Sequence, residues 1–244
     1  MKRVKRKGIT LPPRLIVVSG MSAAGKSTLT KGLAERITNG IALNRDSIMY
    51  GGLLCVDENT SFTPNLPSFR EYVARDNVFP ENVDTIETPF GPMTRVRHDP
   101  PSNFHGRHVR DQSYLVAIRL AEENIQLGKV PILDGYQMRH IDGGSLQRVM
   151  NLPAFASYPK YLIHVVVDMK ECYQRLVIER GKNDPEALIR GQSYQEKKKF
   201  LEFIGEKQKP IPDGLKNFDH LVIDTTPPVT IEECLKKCLK YIQA

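Results

Sequence analysis

The chain has 244 residues, of which 40% are hydrophobic, and a formal net charge of +7. This length is enough for one large α/β domain or two small ones with a sizeable buried core. No apolar run approaches the roughly 20 residues that a membrane-spanning helix needs, so we expect no membrane partner. The basic balance favours a polyanionic partner, although nucleotide sites are basic as well.

The first residues, MKRVKRKG, form a basic stretch that no apolar segment with a cleavage site follows, so we do not expect a secretory signal. Residues 1–13 are a basic N-terminal segment, which either contacts a nucleic-acid backbone or is a solvated terminus. The four cysteines include no CxxC pair, and Cys234 and Cys238 are predicted to be packing residues of one helix. A reduced, cytoplasmic setting fits this usage, and for a viral protein it would be the host cytoplasm.

The stretch LIVVSGMSAAGKSTLTKGL, residues 15–33, passes from a β-branched apolar run into a glycine-containing loop. Gly20, Gly25, Lys26 and Ser27 fit the pattern G-x-x-x-x-G-K-[ST], which needs a strand before it and a helix after it. The glycines allow a tight path that turns backbone amides inward around an anion, and the helix N-terminus adds partial positive charge. Lys26 is predicted to reach the β- and γ-phosphates of ATP, and Ser27 to hold Mg²⁺. The predicted nucleotide-binding residues are Gly20, Met21, Ser22, Ala23, Ala24, Gly25, Lys26, Ser27 and Thr28.

Beyond this loop, short apolar strands alternate with helical patterns along the chain. Strands are predicted at RLIVVSG, IALNRD, VPILDG, YLIHVVVD and HLVIDT. Helices are predicted at STLTKGLAERI, DQSYLVAIRLAEENIQLG, MKECYQRLVIER, DPEALIRGQSYQEKKKFLEFI and TIEECLKKCLKYI. Leu115, Ile118 and the positions on the side of Ala121 give the second of these its amphipathic spacing. The alternation predicts an α/β fold with a mostly parallel five-stranded sheet and helices on both faces, and the pattern from Gly20 to Ser27 makes this a predicted P-loop NTPase fold.

Residues 52–107 do not follow this alternation, because they are rich in Pro, Asn, Asp and Phe with little periodicity. A structureless loop of this length is unusual in a compact domain. We therefore predict an insertion with small elements of its own, among them a hairpin around TIETPFGPMTRVRHD, within a single domain over residues 1–244. Such insertions often carry function, and the alternative is a segment that has no function of its own or is disordered.

Two acidic residues follow predicted strands. Asp46, in LNRDSIMYGG, comes just after the second strand, at the sheet edge where ligands bind in open α/β sheets. A carboxylate there could accept the proton of an attacking hydroxyl, and the alternative role is the N-cap of the next helix. Asp134 ends VPILDG, where it suits Mg²⁺ directly or through water, and the alternative is a turn-forming Asp-Gly.

A cluster of basic residues lies in CYQRLVIERGKNDPEALIR, which contains Arg175, Arg180, Lys182 and Arg190. A mobile helical pair over residues 170–206 is predicted to form a lid whose arginines neutralise the moving phosphoryl group. The alternative is a charged, solvated face, which is the usual environment of an arginine.

In combination, these stretches resemble the P-loop kinases of the phage polynucleotide kinase type. NRD is similar to the stretch that follows the second strand in that family, and implies that Asp46 is the general base for a nucleic-acid 5′-hydroxyl. ERGKNDPEALIR is similar to the family's lid and implies that Arg180 is the lid arginine. ILDGYQ matches in part, at Asp134, and VIDTTPPVTIEE resembles the strand and loop near the adenine. The resemblance covers about residues 14–51 and 108–243 and is absent over the insertion.

One position departs from the family. The resemblance implies an arginine three residues after the catalytic aspartate, to hold the acceptor phosphate, and this chain has Met49 there. Arg107 and Arg110 are candidate substrate-binding replacements. The nearby His105 and His108 are not predicted as metal ligands, because no cysteine or carboxylate cluster accompanies them.

The predicted activity is transfer of the γ-phosphate of ATP, with Mg²⁺, to a hydroxyl group, with Lys26, Asp46 and Arg180 as catalytic residues. The resemblance and the basic charge favour nucleic acid as the acceptor, either a 5′-hydroxyl end or a hydroxymethylated base in phage-type DNA. A small molecule or a nucleotide is the alternative acceptor. Two other classes stay open: an NTPase without a hydroxyl acceptor, and a nucleic-acid-binding module that a nucleotide regulates. The sequence predicts no oligomeric state.

Overall fold

The computed structural model describes residues 8–48, 55–56, 83–88, 91–96, 110–135, 138–175 and 211–244. The chain divides into two compact units. Met1–Leu43 together with Ala121–Ala244 form the first, here named the sheet unit, and Asn44–Leu120 form the second, named the insert unit. No helix within the described ranges is long and apolar enough to cross a membrane.

The strands and helices follow the predicted alternation. The strands are β1 (Leu15–Gly20), β2 (Gly40–Asn44), β3 (Cys55–Val56), β4 (Val83–Thr88), β5 (Gly91–Val96), β6 (Val130–Asp134), β7 (Lys160–Val166) and β8 (His220–Asp224). The helices are α1 (Lys26–Arg36), α2 (Arg45–Ile48), α3 (Arg110–Gln126), α4 (Met138–Asp142), α5 (Ser145–Met150), α6 (Met169–Tyr173) and α7 (Ile231–Gln243), with 3-10 turns at Pro153–Phe155 and Asp213–Asn217.

The main sheet has the strand order β2-β6-β1-β7-β8, so β1 is central. β1 pairs in parallel with β6, where Val18 is opposite Asp134, and with β7, where Gly20 is opposite Val165. β7 in turn pairs in parallel with β8. The predicted P-loop NTPase fold with a parallel five-stranded sheet is therefore confirmed.

Both faces of the sheet are covered. Ile16 and Val18 belong to a core cluster that also contains residues of α1 and α7. Leu15 and Val17 alternate with them along β1 and are also fully buried, so they face the opposite side. A strand buried on both faces reads as a continuous apolar run, which is why LIVV gives no alternating pattern.

The last helix shows how local sequence sets an element boundary. Thr230 accepts a hydrogen bond from the Glu233 amide, and the Glu233 carboxylate accepts one from the Thr230 amide, so the pair forms a capping box at the start of α7. Cys234 and Cys238 on the same helix are buried in the core cluster, as the sequence predicts for packing residues.

The insert unit contains a small antiparallel sheet of order β3-β5-β4. β4 and β5 form a hairpin, with Thr88 paired to Gly91, which confirms the predicted hairpin. Helix α3 forms where predicted, but the prediction for its apolar face was wrong at Leu115, which is 62% exposed. Ala121, which the predicted spacing included, is buried, and the other buried residues of α3 are Ser113, Tyr114, Ala117 and Ile125.

Candidate nucleotide-binding site

The loop after β1 owes its path to two glycines. Gly20 has φ of 142°, and a Cβ on it would lie 2.1 Å from the Val165 carbonyl oxygen of the adjacent strand. Gly25 has φ of 87° and stands at the N-cap of α1. Gly25 has no side chain with which to cap the helix, an arrangement that suits an anion as the cap. Ala23, between them, also has a positive φ, of 59°.

Four consecutive carbonyl groups of this loop each accept a hydrogen bond from a side chain. Lys26 Nζ donates to Met21 O at 2.8 Å, and Cys172 Sγ donates to Ser22 O at 3.4 Å. The other two donors are a guanidinium, Arg175 Nη1 to Ala23 O at 3.4 Å, and a hydroxyl, Thr225 Oγ1 to Ala24 O at 2.9 Å. Because the carbonyls are held in this way, contacts within the protein define the path of the loop.

Arg175 and Thr225 also bind each other. Arg175 Nη1 donates to Thr225 Oγ1 at 3.1 Å, and Nη2 donates to the Thr225 carbonyl oxygen at 2.8 Å. Arg175 Nε donates to the Glu171 carboxylate at 2.7 Å, one helical turn earlier. The Arg175 guanidinium therefore donates to four acceptors within the protein. The sequence predicted a different role for Arg175, as a lid arginine together with Arg180.

Lys26 is the first residue of α1, directly after the glycine that turns the chain. Its ammonium group carries three donors, and one of them bonds to Met21 O. Ser27 and Thr28 follow it and are exposed. A hydroxyl at the exposed start of the helix is in the position that the loop pattern assigns to a Mg²⁺ ligand.

Asp134 is the last residue of β6, next to the strand that leads into the loop, and its residue exposure is only 3%. Val130 and Ile132 belong to the core cluster that includes Leu29 of α1, so alternation along β6 puts Asp134 on the α1 face of the sheet. A carboxylate so placed fits Mg²⁺, which takes few protein ligands and keeps water and phosphate oxygens for the rest. Among the described residues no group of three His, Cys, Asp or Glu could hold a metal ion by itself.

The insert unit positions Asp46. Asn44 ends β2, and its side-chain oxygen accepts a hydrogen bond from the Ser47 amide at 2.7 Å. This is the capping interaction of α2, so the alternative role considered for Asp46 belongs to Asn44. Asp46 is the second residue of α2, and its side chain is 61% exposed, with one oxygen 3.0 Å from Arg45 Nη2.

Arg45 is itself held in place. Its guanidinium lies over the ring of Tyr114 at 4.9 Å from the centroid, and Nη1 donates to the Tyr114 hydroxyl at 3.2 Å. Arg45 is only 9% exposed. A cation in contact with an aromatic face, hydrogen-bonded to a phenol, gives the Asp46 carboxylate a fixed partner.

Several predicted site residues lie outside the part of the chain that the structure describes: Met49, Arg107, Arg180, Lys182 and Arg190, as well as His105 and His108. Arg110 is described only as the first residue of α3. Most of the predicted lid, 170–206, and of the insertion, 52–107, also falls outside the described residues. Their predicted roles therefore stay predictions.

Sequence reasoning missed the side chains that hold the loop from outside, Cys172 and Thr225, and the Arg45–Tyr114 pair. Cys172, Thr225 and Tyr114 each contact a residue far away in sequence. Arg45 belongs to NRD, but its contact with Tyr114 could not be found from that stretch. A partial signal existed for Thr225, because a hydroxyl residue directly after a strand that ends in Asp stands at the ligand-binding edge of the sheet.

No protein-family model matches the chain, and no curated protein matches its sequence. Solved structures do resemble it. A provisionally named kinase from Chloroflexus aurantiacus has a TM-score of 0.53 at 19% identity, with 95% of this chain and 97% of that one covered. A tunicamycin resistance protein from Deinococcus radiodurans has a TM-score of 0.49 at 11% identity, covering 94% and 95%. A thymidylate kinase from Candida albicans has a TM-score of 0.47 at 13% identity, covering 95% and 92%. Of these three, the first alone exceeds a TM-score of 0.5, and at its low identity it supports the fold alone.

Proposed function

We propose that the chain is a phosphotransferase that uses ATP and Mg²⁺ to phosphorylate an alcohol group. The observation that carries this proposal is the loop from Gly20 to Thr28, whose four successive carbonyls from Met21 to Ala24 are each bound by a side chain. A loop fixed on its carbonyl side, at the N-terminus of a helix, presents its amides to a chain of phosphates.

The phosphates of ATP are assigned to this loop. Lys26 neutralises charge on the β- and γ-phosphates, and the amides of α1 add the partial positive charge of a helix N-terminus. Ser27 and Asp134 are the residues that would hold Mg²⁺, which when bound neutralises further phosphate charge. These groups position the nucleotide rather than react with it, as phosphoryl transfer requires.

Asp46 is assigned as the general base. Its carboxylate takes the proton of the acceptor hydroxyl, the hydroxyl oxygen forms a bond to the γ-phosphorus, and the bond to the bridging oxygen of ADP breaks. Support comes from the capping role of Asn44, which leaves Asp46 without a need to cap α2, and from the Arg45 contact that orients it. Arg180 is proposed, by the family resemblance, to stabilise charge on the transferred group.

The acceptor proposed first is a hydroxyl on nucleic acid, either a 5′ end or a hydroxymethylated base. The resemblance of NRD and of the lid stretch to the polynucleotide kinase type supports it, together with the net charge of +7. Met49, which stands where that family has an acceptor-binding arginine, favours a changed acceptor, with Arg107 and Arg110 as candidate contacts. A small molecule or a nucleotide is the second candidate.

The test is a transfer assay with γ-labelled ATP and Mg²⁺ and three acceptors in parallel. These are 5′-hydroxyl oligonucleotides, end-blocked duplex DNA that contains hydroxymethylpyrimidines, and a mixture of nucleosides and nucleotides. Asp46→Asn is the variant, and Asp219→Asn, an exposed aspartate of the sheet unit, is the matched control. Label on one acceptor class, lost in Asp46→Asn and kept in Asp219→Asn, is the expected result.

Other outcomes decide between classes. Hydrolysis of ATP that needs no acceptor and survives Asp46→Asn identifies an NTPase without a hydroxyl acceptor. Tight, strongly salt-dependent DNA binding with negligible turnover identifies a nucleic-acid-binding module. Label on the internal modified base but not on 5′ ends identifies a modified acceptor site.

A further inference from the structure

We propose that Thr225, linked to Arg175, is a positioning residue that sets the affinity of the loop for the polyphosphate part of its ligand. The inference rests on the proposed function, because it assumes that the loop binds phosphates. Thr225 comes directly after β8 and is 8% exposed, so it belongs to the framework of the sheet unit rather than to its surface.

The Thr225 hydroxyl has two carbonyl oxygens within reach, and Ala24 O is the better acceptor. Oγ1 lies 2.9 Å from Ala24 O and 3.2 Å from Val166 O. Val166 O already accepts the Thr225 amide at 3.0 Å, whereas Thr225 Oγ1 is the side-chain donor that the structure gives to Ala24 O. Since a hydroxyl has one proton, the shorter contact, to Ala24, is the one that it satisfies.

Arg175 fixes the rotation of that hydroxyl. Its Nη1 donates to Thr225 Oγ1 at 3.1 Å, so this oxygen accepts from the guanidinium and directs its own proton away, toward Ala24 O. The same Nη1 donates to Ala23 O at 3.4 Å, and Nη2 holds the Thr225 carbonyl. Two neighbouring peptide groups of the loop are therefore tied to the end of β8 through one threonine and one arginine.

These hydrogen bonds lie at the turn that leads into α1. A Cβ on Gly25 would lie 3.8 Å from Arg175 Nη1 and 3.8 Å from the Thr225 methyl carbon. Gly25 is the N-cap of α1, so the peptide that follows Ala24 leads directly to the amides that the helix N-terminus offers an anion. Fixing Ala24 O fixes the orientation of that peptide plane, because the peptide group is planar.

The matched pair Thr225→Val and Thr225→Ser tests this. Valine keeps the shape and removes the hydroxyl, and serine keeps the hydroxyl. The affinity of the full chain, with Mg²⁺, is measured for two probes: ATP and inorganic tripolyphosphate, which has no base or sugar. We expect Thr225→Val to weaken both by a similar factor, about fivefold to tenfold, as for one lost hydrogen bond. Thr225→Ser should stay within about twofold of the unaltered chain.

The outcomes separate the inference from the proposed function. Unaltered affinity of Thr225→Val for both probes would overturn the inference alone, and so would a loss confined to ATP, since that indicates contact with the base or sugar. If the unaltered chain binds neither probe and labels no acceptor, the proposed function fails and the inference with it.

Thermal unfolding without ligand shows whether Thr225→Val folds. If it does not, Arg175→Lys replaces it. One ammonium nitrogen cannot take the place of both Nη1, which contacts Thr225 Oγ1 and Ala23 O, and Nη2, which contacts the Thr225 carbonyl, so equal loss for both probes is again expected.

Discussion

The Arg45 guanidinium lies 3.0 Å from the Asp46 carboxylate and is itself held against the ring and hydroxyl of Tyr114. The two partners of this ion pair differ in their surroundings, since the side chain of Arg45 is 11% exposed and that of Asp46 is 61% exposed. An exposed carboxylate contributes little to stability through such a pair, usually less than about 1 kcal/mol. A buried cation that aims at an exposed carboxylate is therefore better explained by orientation of that carboxylate than by stability.

The first prediction concerns Asp46→Asn. It should lower phosphoryl transfer by about 10²-fold or more, because the acceptor hydroxyl loses its base. It should change the free energy of unfolding by less than about 1 kcal/mol, because the side chain is exposed. ATP affinity should stay unchanged. Steady-state kinetics, urea unfolding and nucleotide titration measure the three quantities on the same preparation.

Tyr114→Phe is the companion variant for this site. It keeps the ring under Arg45 and removes the hydroxyl, so we expect a fall in turnover of about twofold to fivefold without loss of ATP affinity. For Asp46→Asn, the variant of the previous paragraph, an equal loss of ATP affinity and turnover would contradict the assignment of Asp46 as general base. Such a loss would indicate that Asp46 takes part in nucleotide binding.

The second prediction concerns Lys26→Met. Methionine keeps the length and apolar stem of the side chain but removes the ammonium group that donates to Met21 O. We expect ATP affinity and turnover to fall together, by about tenfold or more each, since one cation serves both the bound phosphates and the transferred group. Lys31→Met, on the exposed side of the same helix, is the matched control and should bind ATP as the unaltered chain does. Equal ATP affinity in Lys26→Met and Lys31→Met would show that Lys26 does not bind the phosphates of ATP.

The sequence predicted the fold well because the informative signals were local. A β-branched run buried on both faces, such as Leu15 to Val18, and a capping box, such as Thr230 with Glu233, act over a few residues. Such patterns can be found without knowledge of any tertiary contact. The main sheet and α7 accordingly form at the predicted stretches.

The site was predicted only in part, because its supporting contacts are not local. Thr225 binds Ala24 across 201 positions of the chain, and Cys172 binds Ser22 across 150. Leu115 illustrates a different failure. Apolar spacing alone suggested that it faces the core, but α3 buries Tyr114 and Ala117 instead, so the spacing predicted the helix but not which of its faces is covered.

The third prediction concerns Gly20→Ala, with Gly128→Ala as its matched control. Both glycines have positive φ, 142° and 76°, so either substitution strains the backbone by about 1 kcal/mol or more. The two glycines differ in the room that an added side chain would have. A Cβ at Gly20 would lie 2.1 Å from the Val165 carbonyl oxygen, whereas a Cβ at Gly128 would meet nothing within 4 Å. Urea unfolding should show a loss of about 1 kcal/mol for Gly128→Ala and at least about 3 kcal/mol for Gly20→Ala. Equal losses would mean that β1 and β7 are not packed as closely as described.

The last prediction concerns stability at high pH. Burial raises the pKa of the Cys238 thiol from 9.0 to about 12, with a smaller contribution from the neighbouring Cys234, whose own pKa burial also raises. Burial likewise raises the pKa of the Tyr241 phenol from 10.0 to about 12.

These groups lose their protons in the unfolded chain before they do so in the folded one. Below about pH 9 both states hold the protons, so the thiols cause no change in stability with pH. Between about pH 9 and about pH 12 the unfolded state binds fewer protons, so the free energy of unfolding falls as the pH rises. The thiols act first and Tyr241 joins from about pH 10 upward, because its ordinary pKa is higher.

Urea unfolding at about pH 8 and about pH 10 measures this fall, which at the lower end of the window comes mainly from the thiols. Cys238→Ala separates the titration from packing. It should lower stability at both pH values through the lost volume, by about 1 kcal/mol, and should make the fall between them smaller. A fall of the same size in Cys238→Ala would show that the thiol of Cys238 is not its source. The decrease would then have to come from the other groups whose pKa burial raises, Cys234 and Tyr241.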